Sequence, residues 1–411
     1  MHWQITDEYP SSILRDFHIF LEDLSSVPSP LTPSLNLARK TLFALNSRMS
    51  RPETGVTERT DQVMYPLLHL FYHLSLESGL FSLGAGERKP WFEPNLEKIG
   101  AFRAMEPEAQ YFFLLETYLQ HSDWESLDPN RNFGVQIQLI GAMPQLVLAS
   151  PGEKIPIRKD SRGPIGFLSW NLGYHGLYFE YFGLWAATEM PIRKEWPKTW
   201  RKFESLALTR FGKFLFEMLN EKGLLPDPDE EEKMLDYFLS RDDRMVLLNL
   251  ADRLHEYFQD SFPTGTFANM LPVVEEVEAR KGVFVFKVSL RHDPKIWCRV
   301  ALSSQDTLHA LHRIIQQAYR FDDDHLYCFY LHPRSDRRDT YNHPWTDMPP
   351  FADEALIGEL NLAPGRKFRY LFDFGDRWWF DIVLEEIREG EELPGGPKVL
   401  EKKGRAPRQY G

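Results

Sequence analysis

Between Tyr370 and Glu386 the chain reads YLFDFGDRWWFDIVLEE, and no other stretch limits its fold so tightly. Phe368, Tyr370, Phe372 and Phe374 alternate with Arg369, Leu371 and Asp373, and the run from Trp378 to Ile387 is again aromatic and β-branched. That two-residue period belongs to extended strands. Two such runs around Gly375-Asp376 predict a β-hairpin. With those two residues as the loop, Phe372 faces Trp379, Leu371 faces Phe380 and Tyr370 faces Asp381. Aromatic pairs across strands contribute about 0.2–1 kcal/mol each over alanine. Large apolar groups then lie on both faces, so the hairpin is expected inside a sheet packed on each side.

The elements before it predict an α+β domain: strands over 283–291 and 296–302, a helix over 307–320, and a strand over 325–331. A polar loop over 332–350, a short helix over 353–360 and the 366–387 hairpin follow. Asp306 or Thr307 can cap the helix, and Leu308, Leu311, Ile315 and Ala318 form its core stripe. The expected architecture is a mostly antiparallel sheet around a helix, of β-grasp type. The domain spans 283–390, its boundary with the preceding region falls near 270–282, and 391–411 is a flexible basic tail.

Residues 1–272 read as mainly helical. Apolar spacing predicts helices over 1–25, Leu35–Met49, Tyr65–Leu76 and Pro107–Leu119, with FSLGAGERKPWFEPN as a short hairpin. Helix, helix, then hairpin is the order of a winged-helix unit. A second such order is expected from a helix over Leu177–Ala187, a wing in MPIRKEWPKTWRKFESLALT and a helix over Arg210–Leu219, with 150–166 as the hinge between two subdomains. Two more helices are expected over 232–258, after the acidic lead-in at 225–233.

Bulk composition narrows the partners. A length of 411 residues suits two or three domains, and 43% hydrophobic with 14% aromatic residues is a globular composition. A net charge of −12 argues against broad attraction to nucleic acid or an anionic membrane. Cys298 and Cys328 are the only cysteines, too few for a disulfide framework or a four-cysteine zinc site, so a cytoplasmic setting is expected. The opening MHWQITDEYP has no signal-peptide pattern, and no run approaches the roughly 20 apolar residues of a membrane helix.

Ile296, Trp297, Arg299, Thr307-Leu308, Leu311, His312, Gln316, His325-Leu326 and Phe329, with Asp373-Phe374-Gly375-Asp376, Trp378, Ile382 and Glu385, occur in an order that resembles the plasmid pRiA4b ORF-3-like family, also called insertion-element passenger TnpR. The resemblance covers roughly 283–411, including the closing GRAPRQYG. It implies a family found on plasmids, insertion elements and chromosomes, with no established activity. Many members carry a histidine two residues after the hairpin tryptophan, where this chain has Phe380, and cysteines in the tail, where it has none. Those departures argue against a metal site there, and no cofactor is expected.

Several constellations bear on chemistry. Asp373, Asp376 and Asp381 form a candidate carboxylate cluster for a cation, against which stands simple turn chemistry, with Tyr370 shielding Asp381. His309, His312 and His325 form a candidate zinc set, against which stands a role joining helix to sheet. Asp322-Asp323-Asp324 reads as a solvated loop. Arg193, Lys194, Lys198, Arg201 and Lys202, interleaved with Trp196 and Trp200, are the candidate nucleic-acid contact, the alternative being a solvated wing. The DFG triplet lacks the other kinase loops, and no G-x-S-x-G, P-loop, H-E-x-x-H or dinucleotide pattern occurs. The favoured expectation is a non-catalytic binding or adaptor protein that contacts a protein or peptide through the aromatic and acidic edge of the 366–387 hairpin. The alternatives are a DNA-binding accessory of a mobile element and a metal-dependent hydrolase.

Overall fold

The computed structural model describes residues 2–85, 90–122, 124–130, 135–157, 168, 172–191, 196–222, 253–273, 280–331, 340–346, 350–360, 362 and 364–409. These form two compact units, one running through Val273 and the other starting at Arg280.

In the first unit, helix α1 (Ile13–Leu24), strand β1 (Ser29–Pro30), α2 (Arg39–Asn46) and α3 (Pro66–Glu77) lead into a hairpin of β2 (Phe81–Ala85) and β3 (Pro90–Pro94). The three strands are antiparallel in the order β1-β3-β2. After α4 (Leu96–Arg103) and α5 (Pro107–Glu116), the pattern returns as α6 (Val135–Leu146), β4 (Ile155–Pro156), α7 (Gly173–Tyr181), β5 (Trp185–Glu189) and β6 (Phe203–Leu208). The second sheet has the matching order β4-β6-β5. Helix α8 (Arg210–Glu221) follows, capped by the Thr209 hydroxyl, which accepts from the Gly212 amide at 2.8 Å.

The helix expected over 177–187 ends early, and Trp185 opens a strand instead. Gly183 causes the switch: at φ +72° it takes the left-handed conformation that stops a helix, and a Cβ there would lie 2.6 Å from the Pro10 carbonyl oxygen. Of the expected hinge, 158–166 lies outside the described residues, and residues on both sides, such as Leu146 and Phe216, belong to one core cluster. The segment 225–233 and most of 232–258 also lie outside the described residues; at the far end Leu254–Tyr257 is a 3-10 turn.

Helices α3 and α7 pack against each other, and burial covers most of both: Leu67 to Tyr72 on one, Gly173 to Phe179 on the other. Neither contains a lysine or arginine. Arg201 joins the two halves of the unit. Its guanidinium donates to Glu53, in the α2–α3 connection, at 2.7 Å and to Glu189 on β5 at 3.3 Å.

The second unit is a seven-stranded sheet, ordered β10-β9-β11-β12-β7-β8-β13. Its strands are β7 (Gly282–Leu290), β8 (Trp297–Ser303), β9 (Tyr327–Tyr330), β10 (Thr340–Asn342), β11 (Lys367–Phe372), β12 (Trp378–Glu389) and β13 (Lys398–Lys403). Every described neighbouring pair is antiparallel, which separates the sheet from the β-grasp arrangement with its parallel central pair. Helix α9 (Leu308–Tyr319) lies on one face, with the Thr307 hydroxyl as its cap. Leu311 and Ile315 are fully buried there beside Phe286, Val300, Phe380 and Ile382. A strand, β10, interrupts the region expected as loop over 332–350.

Two expectations are corrected. The hairpin pairs Phe372 with Trp378, Leu371 with Trp379 and Tyr370 with Phe380, one residue from the predicted register, because its loop is the five residues 373–377. A one-residue slip exchanges the faces of one strand relative to the other. Tyr370 and Phe380 therefore share the helix-covered face, while Asp381 is exposed on the other, opposite Arg369. Nor is the tail loose: β13 pairs with β8, and the Gln409 side chain bonds both backbone groups of Asp322.

Arg201→Ala should lower the denaturant midpoint of the first unit by an amount equivalent to about 2–3 kcal/mol, because it strands Glu53 next to a buried surface. Lys198→Ala, at an exposed position, should leave the midpoint unchanged; equal effects would contradict the assignment.

Candidate functional site

Of the family-motif residues, His312, His325 and Asp373 to Asp376 meet at the end of the sheet where the hairpin turns. His312 is fully buried on α9, stacked on the Tyr327 ring at a centroid distance of 3.9 Å. Its Nδ1 lies 2.5 Å from the Tyr370 hydroxyl and its Nε2 2.7 Å from Asp323 Oδ1. One proton arrangement pairs both His312 nitrogens and the Tyr370 hydroxyl. Asp323 accepts, so Nε2 carries the hydrogen, and Nδ1 accepts from Tyr370, whose oxygen in turn accepts from Gln316 Nε2 at 2.7 Å. Burial holds the His312 imidazole below its usual range against the pull of Asp323, so the contact is a hydrogen bond from a neutral ring. The bond from His312 holds the Asp323 carboxyl below its own usual range. Tyr370 is fully buried, and burial raises its hydroxyl well above the ordinary phenol range. The network resembles a catalytic relay in its parts, yet its hydroxyl meets no solvent. It fastens helix to sheet.

The turn Asp373–Arg377 is held from within. Asp373 Oδ1 accepts from the Gly375 and Asp376 amides at 2.8 and 3.2 Å, and its carbonyl accepts from Arg377 at 2.7 Å. Asp373 and Arg377 sit at φ +57° and +56°. Left-handed backbone costs such residues about 1 kcal/mol each, which the turn's hydrogen bonds offset. A Cβ at Gly375 would lie 3.1 Å from Asp373 Oδ1, a tight contact with the oxygen that holds the turn. His325 places Nε2 3.1 Å from Asp373 Oδ2 and Nδ1 2.7 Å from the Asp324 carbonyl. That carbonyl, with the charges of Asp373 and its neighbours, raises the His325 pKa.

The turn projects Phe374, which is 45% exposed rather than in a strand as its alternation predicted. Leu326, whose carbonyl accepts from the Asp373 amide at 3.0 Å, is 38% exposed. Trp345, 85% exposed, meets His343 edge to face, and the His343 amide donates to the Tyr327 carbonyl at 3.0 Å. Three large apolar side chains are thus uncovered at one end of the sheet.

The remaining motif residues have other positions. Trp297, Arg299 and Glu385 lie on the face away from α9. The bulge after Leu384 turns Glu385 toward Arg299, which donates to it at 2.7 Å and to Glu401 at 3.2 Å. Trp378 packs on Phe321 at the core margin. Leu311 is core.

The candidate carboxylate cluster does not assemble, since Asp381 stands on β12, away from the Asp373 turn; of the candidate zinc set, His309 Nδ1 lies 2.6 Å from the Tyr327 hydroxyl, His325 is engaged at the turn and His312 is closed on both nitrogens. Among the described residues no group of three metal-ligating side chains occurs. Burial pushes the Cys298 thiol up to about 12 and the Cys328 thiol up to about 11, leaving both unreactive. Of the basic stretch, Arg193 and Lys194 lie outside the described residues. Arg201 is committed to Glu53 and Glu189 with only 9% of its side chain exposed, and the Lys202 ammonium sits over Trp196 and Trp200 at 4.9 and 5.2 Å. Lys198 is exposed.

Sequence reasoning passed over Tyr370 and Asp323 as network members, and Leu326 and Trp345 as exposed anchors. A tyrosine among core aromatics carries no local sign of its hydroxyl's partner. Asp323 read as solvated because it stands between two other aspartates.

Unfolded histidine titrates near 6.5. His312 is lowered in the fold, so its contribution is full above that value and is lost as pH falls through it. His325 is raised, so its contribution is full below about 6.5 and is lost as pH rises through its folded value. Thermal melts across about pH 5–8 should therefore lose the acid-side slope in His312→Gln and the alkaline-side slope in His325→Gln; unchanged slopes would contradict both assignments.

Residues 282–409 match the family described as Plasmid pRiA4b ORF-3-like protein. The uncharacterized protein y4hQ of Sinorhizobium fredii (strain NBRC 101917 / NGR234) is 32% identical over 130 residues, 31% of this chain and 64% of that protein. The chain thus spans a little under two thirds of the curated relative it matches. A crystal structure of a protein of unknown function, MM3350 from Methanosarcina mazei Go1, is 24% identical, covering 32% of this chain and 74% of that one, with a TM-score of 0.28. The C-terminal region of this chain, residues 282–409, is thus similar to the pRiA4b ORF-3-like family.

Proposed function

We propose that the chain is a non-catalytic binding protein whose C-terminal unit engages a protein partner at the sheet end bearing Phe374. The supporting observation is a contrast within that one end. The groups that would do chemistry, His312, Tyr370 and Asp373, are consumed by internal hydrogen bonds, whereas Leu326, Phe374 and Trp345 are left in water. Exposed apolar anchors on a rigid turn suit recognition, since little order is lost when they are buried.

We read the repeated order of the first unit, helix, strand, helix and hairpin, as a pair of winged-helix-like repeats. That reading would favour the DNA-binding alternative if α3 and α7, the helices before each hairpin, were available to a groove. They are buried against each other and carry no lysine or arginine, and Arg201 of the wing is occupied, which weighs against DNA as the partner.

A photo-crosslinking phenylalanine analogue at position 374, introduced in the organism the protein comes from, should give discrete protein adducts absent when the analogue is at position 198. No adduct at 374, or the same adducts from both positions, would overturn the proposal.

A further inference from the structure

Resting on that reading of the sheet end, we infer that its partner presents a cationic, apolar segment: lysines or arginines flanking large hydrophobic side chains. The inference comes from what surrounds the three anchors. Leu326 and Phe374 are carried by two short loops, 320–326 and 373–377, whose backbones meet through the bond from the Asp373 amide to the Leu326 carbonyl. These loops contain Asp322, Asp323, Asp324, Asp373 and Asp376 against Arg320 and Arg377, with His325 between them. Asp373 is turned inward and Asp323 is shared with His312, but Asp322, Asp324 and Asp376 are exposed beside the apolar side chains.

The surface is built to stay open. Gln409 donates to the Asp322 carbonyl at 3.2 Å and to the Asp324 carboxylate at 3.0 Å, pinning the acidic loop to the end of the chain. The internal bonds of Asp373 fix the other loop. Neither can fold over to bury Phe374 without breaking several hydrogen bonds, so the phenyl ring waits in water with an acidic rim. An acidic segment would meet like charge at this rim, which suppresses wrong partners, and a purely polar cationic segment would leave the anchors uncovered. The complement is therefore both basic and apolar.

The test uses the full-length protein and two dye-labelled amphipathic peptides that share one leucine and phenylalanine pattern, one with lysines at its polar positions and one with glutamates. Fluorescence anisotropy should show saturable binding of the lysine probe, weakened by salt, and at least about tenfold weaker binding of the glutamate probe. Phe374→Ser with Trp345→Ser should weaken the lysine probe about tenfold or more. Asp322→Asn with Asp376→Asn should weaken it and flatten the salt dependence. Circular dichroism melts of each variant separate loss of the surface from loss of fold. Equal or tighter binding of the glutamate probe, still dependent on Phe374, would overturn the partner class while leaving the surface intact. Binding indifferent to Phe374 and Trp345, or none, would overturn both the class and the surface. A concentration-dependent dimer abolished by Phe374→Ser would give the surface to a second copy and also overturn the inference.

Discussion

The hydrogen bond between His312 and Tyr370 is the constraint on which the C-terminal unit turns. It crosses from the helix to the middle of the sheet inside an aromatic core, where an unpaired polar group costs about 1–3 kcal/mol. Both partners must therefore be matched again on their far sides, by Asp323 and Gln316. That requirement fixes the loop after the helix, because Asp323 can reach His312 only if residues 322–324 are held close, and Gln409 holds them. From one buried bond, the ends of the helix, the acidic loop and the chain's last turn are set.

The first unit follows the same rule with different residues. Buried carboxylates on its helices accept backbone amides from distant segments: Asp16 from Ser50, Glu108 from Ile5 and Glu116 from His255. Each closes a long connection onto a helix and is itself relieved of the cost of burial. In both units charge near the core acts as a fastener.

The sequence carried much of this in its periodicities. The two-residue period of 368–374 and 378–387 and the three- and four-residue spacing of Leu308, Leu311 and Ile315 led to the correct strands and helix, since burial of one face enforces those patterns. The hairpin register was not legible, because it depends on Asp373 accepting two amides and on two non-glycine residues in left-handed backbone, neither of which leaves a periodic signal. The same one-residue slip moved Asp381 away from Tyr370 and Phe374 out of the strand. In the basic stretch, Arg201 is one of five cations that the sequence alone leaves equivalent, and only the fold distinguishes it, by bringing Glu53 from far along the chain to within 2.7 Å. The expected flexible tail failed for a similar reason: Gly, Pro and Lys content describes the chain's own preference, not the strand edge of β8 waiting for it.

The central claim is that the motif histidine is a closed structural joint. Nitrogen-15 NMR of the two His312 ring nitrogens, followed as the full-length protein is titrated from alkaline toward acid pH, tests it most directly. The account predicts a neutral ring protonated on Nε2, with Nδ1 accepting a hydrogen bond, that persists below pH 6.5 until the C-terminal unit begins to unfold. A ring that titrates near 6.5 in the folded protein, or that carries its proton on Nδ1, would contradict it.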